Sequence, residues 1–113
     1  FDFERYLGPL PATMTAKSPR GEHRFFRVEP FAPLGNWVDC FKTKDRDGTA
    51  LDLRYARGRV VVAPSRNAFG RYVWTDGRSP ADLPATALDA ILDERRRRGL
   101  PVLDRWERGE KRA

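Results

Sequence analysis

Short apolar runs separated by turn-forming residues fill much of the chain before residue 80. A strand is predicted from His23 to Val28, where aromatic and β-branched side chains cluster, and another from Trp37 to Phe41. The hydrophilic segment Asp45-Arg46-Asp47-Gly48 is typical of a loop, so Leu51 to Arg54 is predicted to belong to a separate strand. The pattern therefore predicts a sheet of short strands.

The most continuous apolar run is Arg59-Val60-Val61-Val62-Ala63. Such a run predicts a central strand that is covered on both faces. Pro64 is expected to end this strand, because proline has no N–H to donate to a neighbouring strand. From Gly70 to Thr75 aromatic residues alternate with other side chains, which predicts a further strand closed by the Asp76-Gly77 turn.

One segment, which starts near Pro84, has convincing helical spacing. Leu88, Ile91 and Leu92 share one helix face, and proline suits the first turn because its missing N–H has no helical partner there. The run from Arg95 to Arg98 lies at the C-terminal end of this helix. Two interpretations are open for the run: a solvated helix end that complements the helix dipole, or a contact with nucleic acid.

Residues 1–8 are typical of the last turns of a helix, which Gly8 and Pro9 end. The chain opens on Phe1 inside this amphipathic segment, so further residues are expected to precede it. Ser18-Pro19-Arg20-Gly21 is predicted to form a turn.

Together these elements predict an α+β fold, with a mostly antiparallel sheet and at least one covering helix. A chain of 113 residues can bury one modest core, so one domain is expected. We assign residues 1–99 to a partial domain and residues 100–113, whose charges are mixed, to a linker or tail.

The charge balance favours a phosphate-bearing partner. Lys and Arg number 22 against 16 Asp and Glu, and most of the cations are arginines, whose planar donors suit phosphate oxygens. A GC-rich genome would produce the same arginine bias. The single cysteine, Cys40, excludes an internal disulfide, so a reducing, cytoplasmic setting is expected. No stretch approaches the roughly 20 apolar residues of a membrane span, so no membrane partner is expected.

Candidate chemistry begins at the predicted turn before the first strand. Residues 17–23 combine the Ser18 hydroxyl, two cations, the flexible backbone of Gly21 and the His23 imidazole, which are donors suited to a triphosphate. The alternative is that His23 is an ordinary structural or surface histidine.

A second candidate lies in Leu51-Asp52-Leu53-Arg54, where Asp52 and Arg54 project from the same strand face. A structural interpretation pairs Asp52 with Arg54 or Arg57. A functional interpretation has Asp52 hold a divalent cation while Arg54 meets a phosphate or sugar. The local pattern does not separate these two interpretations.

The third candidate is the span from Arg54 to Arg71, which is basic and contains no acidic residue. With Ser65 and the neighbouring aromatics, it could hold a nucleic-acid backbone or stack a base. Alternatively Tyr72 and Trp74 are core residues and the arginines face water.

In order and spacing, these motifs resemble the bifunctional DNA primase/polymerase N-terminal domain of the archaeo-eukaryotic primase superfamily. The resemblance covers residues 10 to about 92. Its elements are Thr13 and Thr15, the segment from Ser18 to Arg27 with His23 before two phenylalanines, Leu51-Asp52-Leu53-Arg54, the valine strand ending in Pro64-Ser65, and Gly70-Arg71-Tyr72-Val73-Trp74.

The resemblance implies an α+β prim-pol fold, of which this chain is the second half, and Mg²⁺ or Mn²⁺ as cofactor. Asp52 and His23 would be catalytic, and Asp52 would be the last of the metal-binding carboxylates. The residues expected to bind a nucleoside triphosphate are Ser18, Arg20, Gly21, His23, Arg54 and Ser65. Those expected to contact a DNA template or primer are Arg57, Arg59, Arg66 and Arg71.

Three departures from the family pattern stand out. The paired acidic motif on an upstream strand is not evident, although Asp2 and Glu4 alternate in a similar way. Glu22 puts a carboxylate in the turn, where it would oppose a triphosphate unless it points away. The insert from Pro30 to Gly48 is longer than expected.

The function implied is metal-dependent, template-directed nucleotide addition in the replication of a phage, plasmid or mobile element. This chain alone is expected to be inactive without the missing acidic part, and a helicase region could follow it. One alternative is a non-catalytic module that binds nucleotide or single-stranded DNA. A third hypothesis is a basic globular domain in which Asp52 and Arg54 merely pair.

Overall fold

The computed structural model describes residues 1–19, 21–42, 50–56, 58–64 and 73–102. The elements in this part of the chain are α1 (Phe3–Leu7), β1 (Thr15–Ser18), β2 (Gly21–Arg27), β3 (Trp37–Cys40), β4 (Leu51–Ala56), β5 (Arg59–Pro64), β6 (Val73–Asp76), β7 (Ala81–Asp82) and α2 (Ala85–Arg97). The predicted α+β fold is confirmed. No helix in these residues is long and apolar enough to cross a membrane.

The strands form one sheet in the order β3-β4-β5-β2-β1-β6, and neighbours along this path are antiparallel. The short strand β7 pairs in parallel with the end of β2. The turn predicted after Ser18 joins β1 to β2, and the tight turn before Arg59, in which Gly58 has a φ of +85°, joins β4 to β5. As predicted, β5 lies in the interior of the sheet.

The core lies on one face of the sheet, where α1 and α2 pack. The side chains of Phe26, Leu53 and Val62 are fully buried there, together with Leu7 and Ile91 from the two helices. We call this the helix face. Cys40 belongs to the same core, and its burial raises the pKa of the thiol to about 12.

Residues at the intervening strand positions project from the opposite face, which we call the open face. It carries His23 and Phe25 from β2, Asp52 and Arg54 from β4, and Val61 from β5. Val60 and Val62 are fully buried on the helix face, whereas Val61 is only partly buried. The prediction that β5 is covered on both faces is therefore wrong at Val61.

The end of α1 and the start of α2 lie close to the positions that the sequence predicts. Asp2 caps α1 by accepting a hydrogen bond from the Arg5 backbone N–H at 3.1 Å, and Gly8, with a φ of 79°, ends it. Pro84 is the N-cap of α2, one position before the predicted first turn.

The end of α2 is not a simple solvated run of arginines. Arg95 is 9% exposed, its guanidinium lies 4.0 Å from the centre of the Trp37 ring, and its Nε donates to the Pro101 carbonyl at 2.9 Å. Arg98 donates to the Asp39 carbonyl at 3.0 Å and forms a salt bridge with Glu94. These two arginines fasten the helix to β3 and to the following residues.

Candidate functional site

His23 and Asp52 lie on the same row of the open face. Asp52 is directly opposite Ala63 in the pairing of β4 with β5. The pairing of β2 with β5 sets Arg24 opposite Val62, so His23, one residue before, aligns with Ala63. Residues that align across neighbouring strands project from the same face, so the imidazole and the carboxylate flank Ala63 on one surface.

Their separation follows from the sheet. Two strand spacings place the His23 and Asp52 backbones about 10 Å apart. Between them Ala63 contributes only a methyl group and is 5% exposed. A polyphosphate could bridge the two side chains across this shallow floor.

His23 is partly buried, and this burial lowers the pKa of its imidazole below the ordinary value of 6.5. The charged form is disfavoured because burial removes the water that would solvate it. At neutral pH the side chain is therefore uncharged and offers one N–H donor and one acceptor.

Two acidic residues near His23, Glu22 and Glu4, pair with Arg24 on the helix face. Arg24 Nε lies 2.5 Å from Glu22 Oε2, and Arg24 Nη1 lies 2.8 Å from Glu4 Oε2. The Arg24 guanidinium also stacks on Phe3 of α1, 4.2 Å from the ring centre. Glu22 thus points away from His23 and does not oppose a phosphate there.

The same contacts decide the role of the two acidic residues near the chain start. Asp2 caps α1, and Glu4 is paired with Arg24 on the helix face. Neither shares the open face with Asp52, so in this structure they do not serve as the paired acidic motif that their alternation suggested.

Asp52 is held in place by a bulge in β3. Trp37 pairs with Leu53 and Cys40 with Leu51, so Val38 and Asp39 together face Asp52. Asp39 has a φ of 58°, and its backbone N–H donates to Asp52 Oδ1 at 3.1 Å. A bulge of this kind re-aims backbone groups beside functional sites.

Burial raises the pKa of Asp52, and the nearby charge of Asp39 adds to this, while the Asp39 backbone N–H and the Arg54 charge act against it. Asp39 was not among the site residues predicted from the sequence. Its only local signal was an acidic residue in an otherwise apolar strand.

Asp52 and the neighbouring Asp39 do not by themselves complete a metal site. Asp52 and Asp39 lie close enough for their charges to interact. In the part of the chain that the structure describes, however, no group of three or more His, Cys, Asp or Glu residues is arranged to hold a metal ion. A divalent cation at Asp52 would need further ligands.

Arg54 and Arg59 project from the open face and are exposed. With Phe25 and Val61 they line a groove of about 480 Å³. The other predicted cations and one hydroxyl lie outside the described residues, and their roles stay predictions. These residues are Arg20, Arg57, Ser65, Arg66 and Arg71.

Ser18 and Gly21 face each other at the end of the β1–β2 hairpin. The Ser18 hydroxyl is buried and donates to the Gly21 carbonyl at 3.4 Å, so it helps to close the turn. Gly21 lies two residues before His23, on the same face of β2. The turn therefore adjoins the imidazole, as predicted.

Trp74, which the sequence left open between core and surface, is 57% exposed. It lies opposite Ala16, which is itself opposite His23, so the indole extends the row of His23 and Asp52 across the open face. Tyr72 lies outside the described residues.

A comparison with protein families finds a match to the model described as "Bifunctional DNA primase/polymerase, N-terminal" over residues 3–86. The match runs from α1 to the start of α2 and includes His23, Asp52 and Arg54. Comparisons with curated proteins and with solved structures gave no match. Because the family model covers most of the 113 residues, the chain belongs to the bifunctional DNA primase/polymerase N-terminal family.

Proposed function

We propose that the open face binds the triphosphate of a nucleotide for metal-dependent, template-directed nucleotidyl transfer in DNA replication. The observation that carries this proposal is the row of His23, Ala63 and Asp52, which sets an imidazole and a carboxylate on one surface. Membership in a DNA primase/polymerase family supports the same chemistry. The setting we propose is cytoplasmic replication of a phage, plasmid or other mobile element, with a helicase region as a further partner.

Each residue has a distinct task in this proposal. The uncharged His23 donates a hydrogen bond to a phosphate oxygen, which needs no counter-charge in the nucleotide-free state. Arg54, exposed on the same face, supplies positive charge to the phosphates. Asp52 contributes one carboxylate ligand to Mg²⁺ or Mn²⁺, the ion that would neutralise the phosphates and activate the attacking hydroxyl.

The alternative is a module that binds nucleotide or single-stranded DNA without chemistry. The incomplete set of metal ligands among the described residues favours this alternative for the chain on its own. The two candidates differ in whether an Asp-x-Asp or Asp-x-Glu strand is encoded in frame before Phe1. An acidic strand there would supply the missing ligands and favour the enzyme, and its absence would favour the binding module.

The proposal is tested by titrating the chain with a nucleoside triphosphate, with and without Mn²⁺, and measuring the heat of binding. Asp52→Ala should remove the gain in affinity that Mn²⁺ brings, and His23→Ala should weaken binding in both conditions. Asp89→Ala, which removes an exposed carboxylate on α2, is the matched control and should bind like the unaltered chain. Unchanged binding in both site variants would refute the assignment.

A further inference from the structure

The open face carries two aromatic side chains beside the proposed phosphate site, of which Trp74 is exposed and Phe25 is partly buried. Trp74 of β6 is 57% exposed and is opposite Ala16 of β1, which is only 2% exposed. The Trp74 ring centre lies 5.7 Å from that of Phe25, with the ring planes at 44°. A large aromatic side chain left in water on a sheet face is typical of a surface that meets a partner.

The pair continues into a basic groove. Phe25 is opposite Val61, and Val61 is opposite Arg54, so this row crosses β2, β5 and β4. Arg59 also lines the groove. From Trp74 on β6 to Arg54 on β4 the surface crosses five strands, about 19 Å at roughly 4.8 Å per strand spacing. This length exceeds what one nucleotide at His23 and Asp52 would cover.

The chemistry of this surface selects for unpaired bases. Neither Arg54 nor Arg59 forms a salt bridge with any residue that the structure describes, so both guanidinium groups can meet phosphates. Aromatic rings beside cations bind single strands by stacking on bases and pairing with the backbone. A duplex hides its base faces in its own stack and offers only phosphates.

We propose that Phe25 and Trp74 are a stacking platform for unpaired bases of the template strand, and that Arg59 receives the phosphates of that strand. The identification of the strand as template rests on the proposed function. Ala16 lies between Trp74 and His23 in the strand pairing. A template base stacked on the platform would therefore lie next to the incoming nucleotide that pairs with it.

The test measures binding of a fluorescein-labelled oligodeoxythymidylate by anisotropy at low salt, without metal or nucleotide. Trp74→Ala should weaken binding roughly tenfold, because the variant loses the stacking of a base on the indole ring. Trp74→Phe should retain most of the affinity. The matched control is Val73→Ala, on the same strand and 56% exposed but facing the other way, which should bind like the unaltered chain.

Four outcomes would overturn the platform. The first is that the unaltered chain does not bind the oligonucleotide, and the second is that Trp74→Ala binds it as tightly as the unaltered chain does. The third is that Trp74→Ala weakens the binding of a duplex as much as that of the oligonucleotide. The fourth is that Trp74→Ala weakens the binding of a free nucleotide as much as that of the oligonucleotide. The last would assign the rings to the incoming nucleotide. Failure of the proposed function gives a different result. In that case Asp52→Ala leaves Mn²⁺-dependent nucleotide binding unchanged, whereas Trp74→Ala still weakens binding of the oligonucleotide.

Discussion

The His23 imidazole makes the stability of the fold depend on pH. Its pKa is lowered in the folded chain by burial, so the unfolded chain binds the proton more readily. Above the unfolded pKa of about 6.5 the imidazole is uncharged in both states, and the free energy of unfolding is at its full value. As pH falls from there towards the folded pKa, the unfolded chain takes up the proton first, so the free energy of unfolding decreases. Denaturant unfolding between about pH 7 and about pH 5.5 should show this loss.

In His23→Gln this component of the pH dependence should vanish. A bound triphosphate should oppose it in the unaltered chain, because phosphate oxygens favour the protonated imidazole and raise its pKa. Nucleotide affinity should therefore increase on acidification relative to that of His23→Gln. If the unaltered chain and His23→Gln follow the same pH curve, His23 does not contact the phosphates.

The charged Asp52 side chain is expected to lower the stability of the folded chain. Its pKa is raised by burial, so the charged form of the carboxyl group is less favourable in the folded chain than in the unfolded chain. Asp52→Asn keeps an oxygen to accept the Asp39 N–H and removes the charge. We expect an unchanged or higher Tm, by roughly 2–5 °C, together with loss of Mn²⁺-dependent nucleotide binding.

Thermal unfolding followed by circular dichroism measures this difference. Asp89→Asn, on the exposed surface of α2, should change neither the Tm nor nucleotide binding. A large fall in Tm for Asp52→Asn would instead indicate that the carboxylate is structural and pairs with a cation.

At the residue scale, local alternation predicted the shared face of Asp52 and Arg54, because buried leucines flank the acid. The comparison with the family pattern identified Glu22 as a carboxylate that would oppose a triphosphate unless it points away. The position of Asp39 could not be predicted from local sequence. Asp39 and Asp52 are 13 residues apart in the chain, and they lie side by side only because β3 pairs with β4 through a bulge.

Among the elements, the β4–β5 turn depends on one glycine. Gly58 has a φ of +85°, and a Cβ atom there would lie 3.2 Å from the Val28 carbonyl oxygen, whose residue donates its own N–H to Gly58. Gly58→Ala should lower the free energy of unfolding by about 1–2 kcal/mol, because the left-handed conformation and the close approach both penalise a side chain.

Gly77→Ala is the matched control for this substitution. No atom lies within 4 Å of a Cβ at Gly77, so the change should be within about 0.5 kcal/mol in the same urea titration. Equal effects at both positions would show that the turn geometry is not what Gly58 provides.

The arginine run at the end of α2 divides into anchoring and solvated members. Arg95 is buried against Trp37 and donates to the Pro101 carbonyl, whereas Arg97 is exposed. We expect Arg95→Ala to cost about 1–3 kcal/mol through lost packing and a lost hydrogen bond.

Arg97→Ala should cost less than about 0.5 kcal/mol in the same denaturant titration. The comparison holds sequence context nearly constant, because the two residues lie on one helix two positions apart. Similar losses in the two variants would mean that the run acts through helix-end charge rather than through the Trp37 contact.

The strands that the sequence predicted best are those with large apolar residues. β5 and β4 carry valines and leucines, and Pro64 ends β5 as expected. β1 was missed because Thr-Ala-Lys-Ser lacks a large side chain and is held by pairing with β2 and β6. β7 has two residues and exists only as a partner of β2. Such strands are set by distant partners and not by their own composition.

Across the whole molecule the sheet separates two tasks. The helix face carries the core, and the open face carries the candidate site and the aromatic platform. Positive charge is not confined to the open face, however. A groove of about 580 Å³ beside α1 and α2 is lined by several cations, namely Arg5, Lys42, Arg97 and Arg98. Net charge alone therefore does not say which side meets DNA.

The salt dependence of DNA binding distinguishes the two surfaces. Each phosphate neutralised on a single strand adds about 0.7 to the slope of log affinity against log salt. Arg59→Ala on the open face should reduce this slope by about that amount, whereas Arg97→Ala in the helix-side groove should leave it unchanged. Both remove one exposed cation, so the overall charge of the chain changes equally. If Arg97→Ala alone reduces the slope, the strand lies along the helices, and the open face serves the nucleotide without the template.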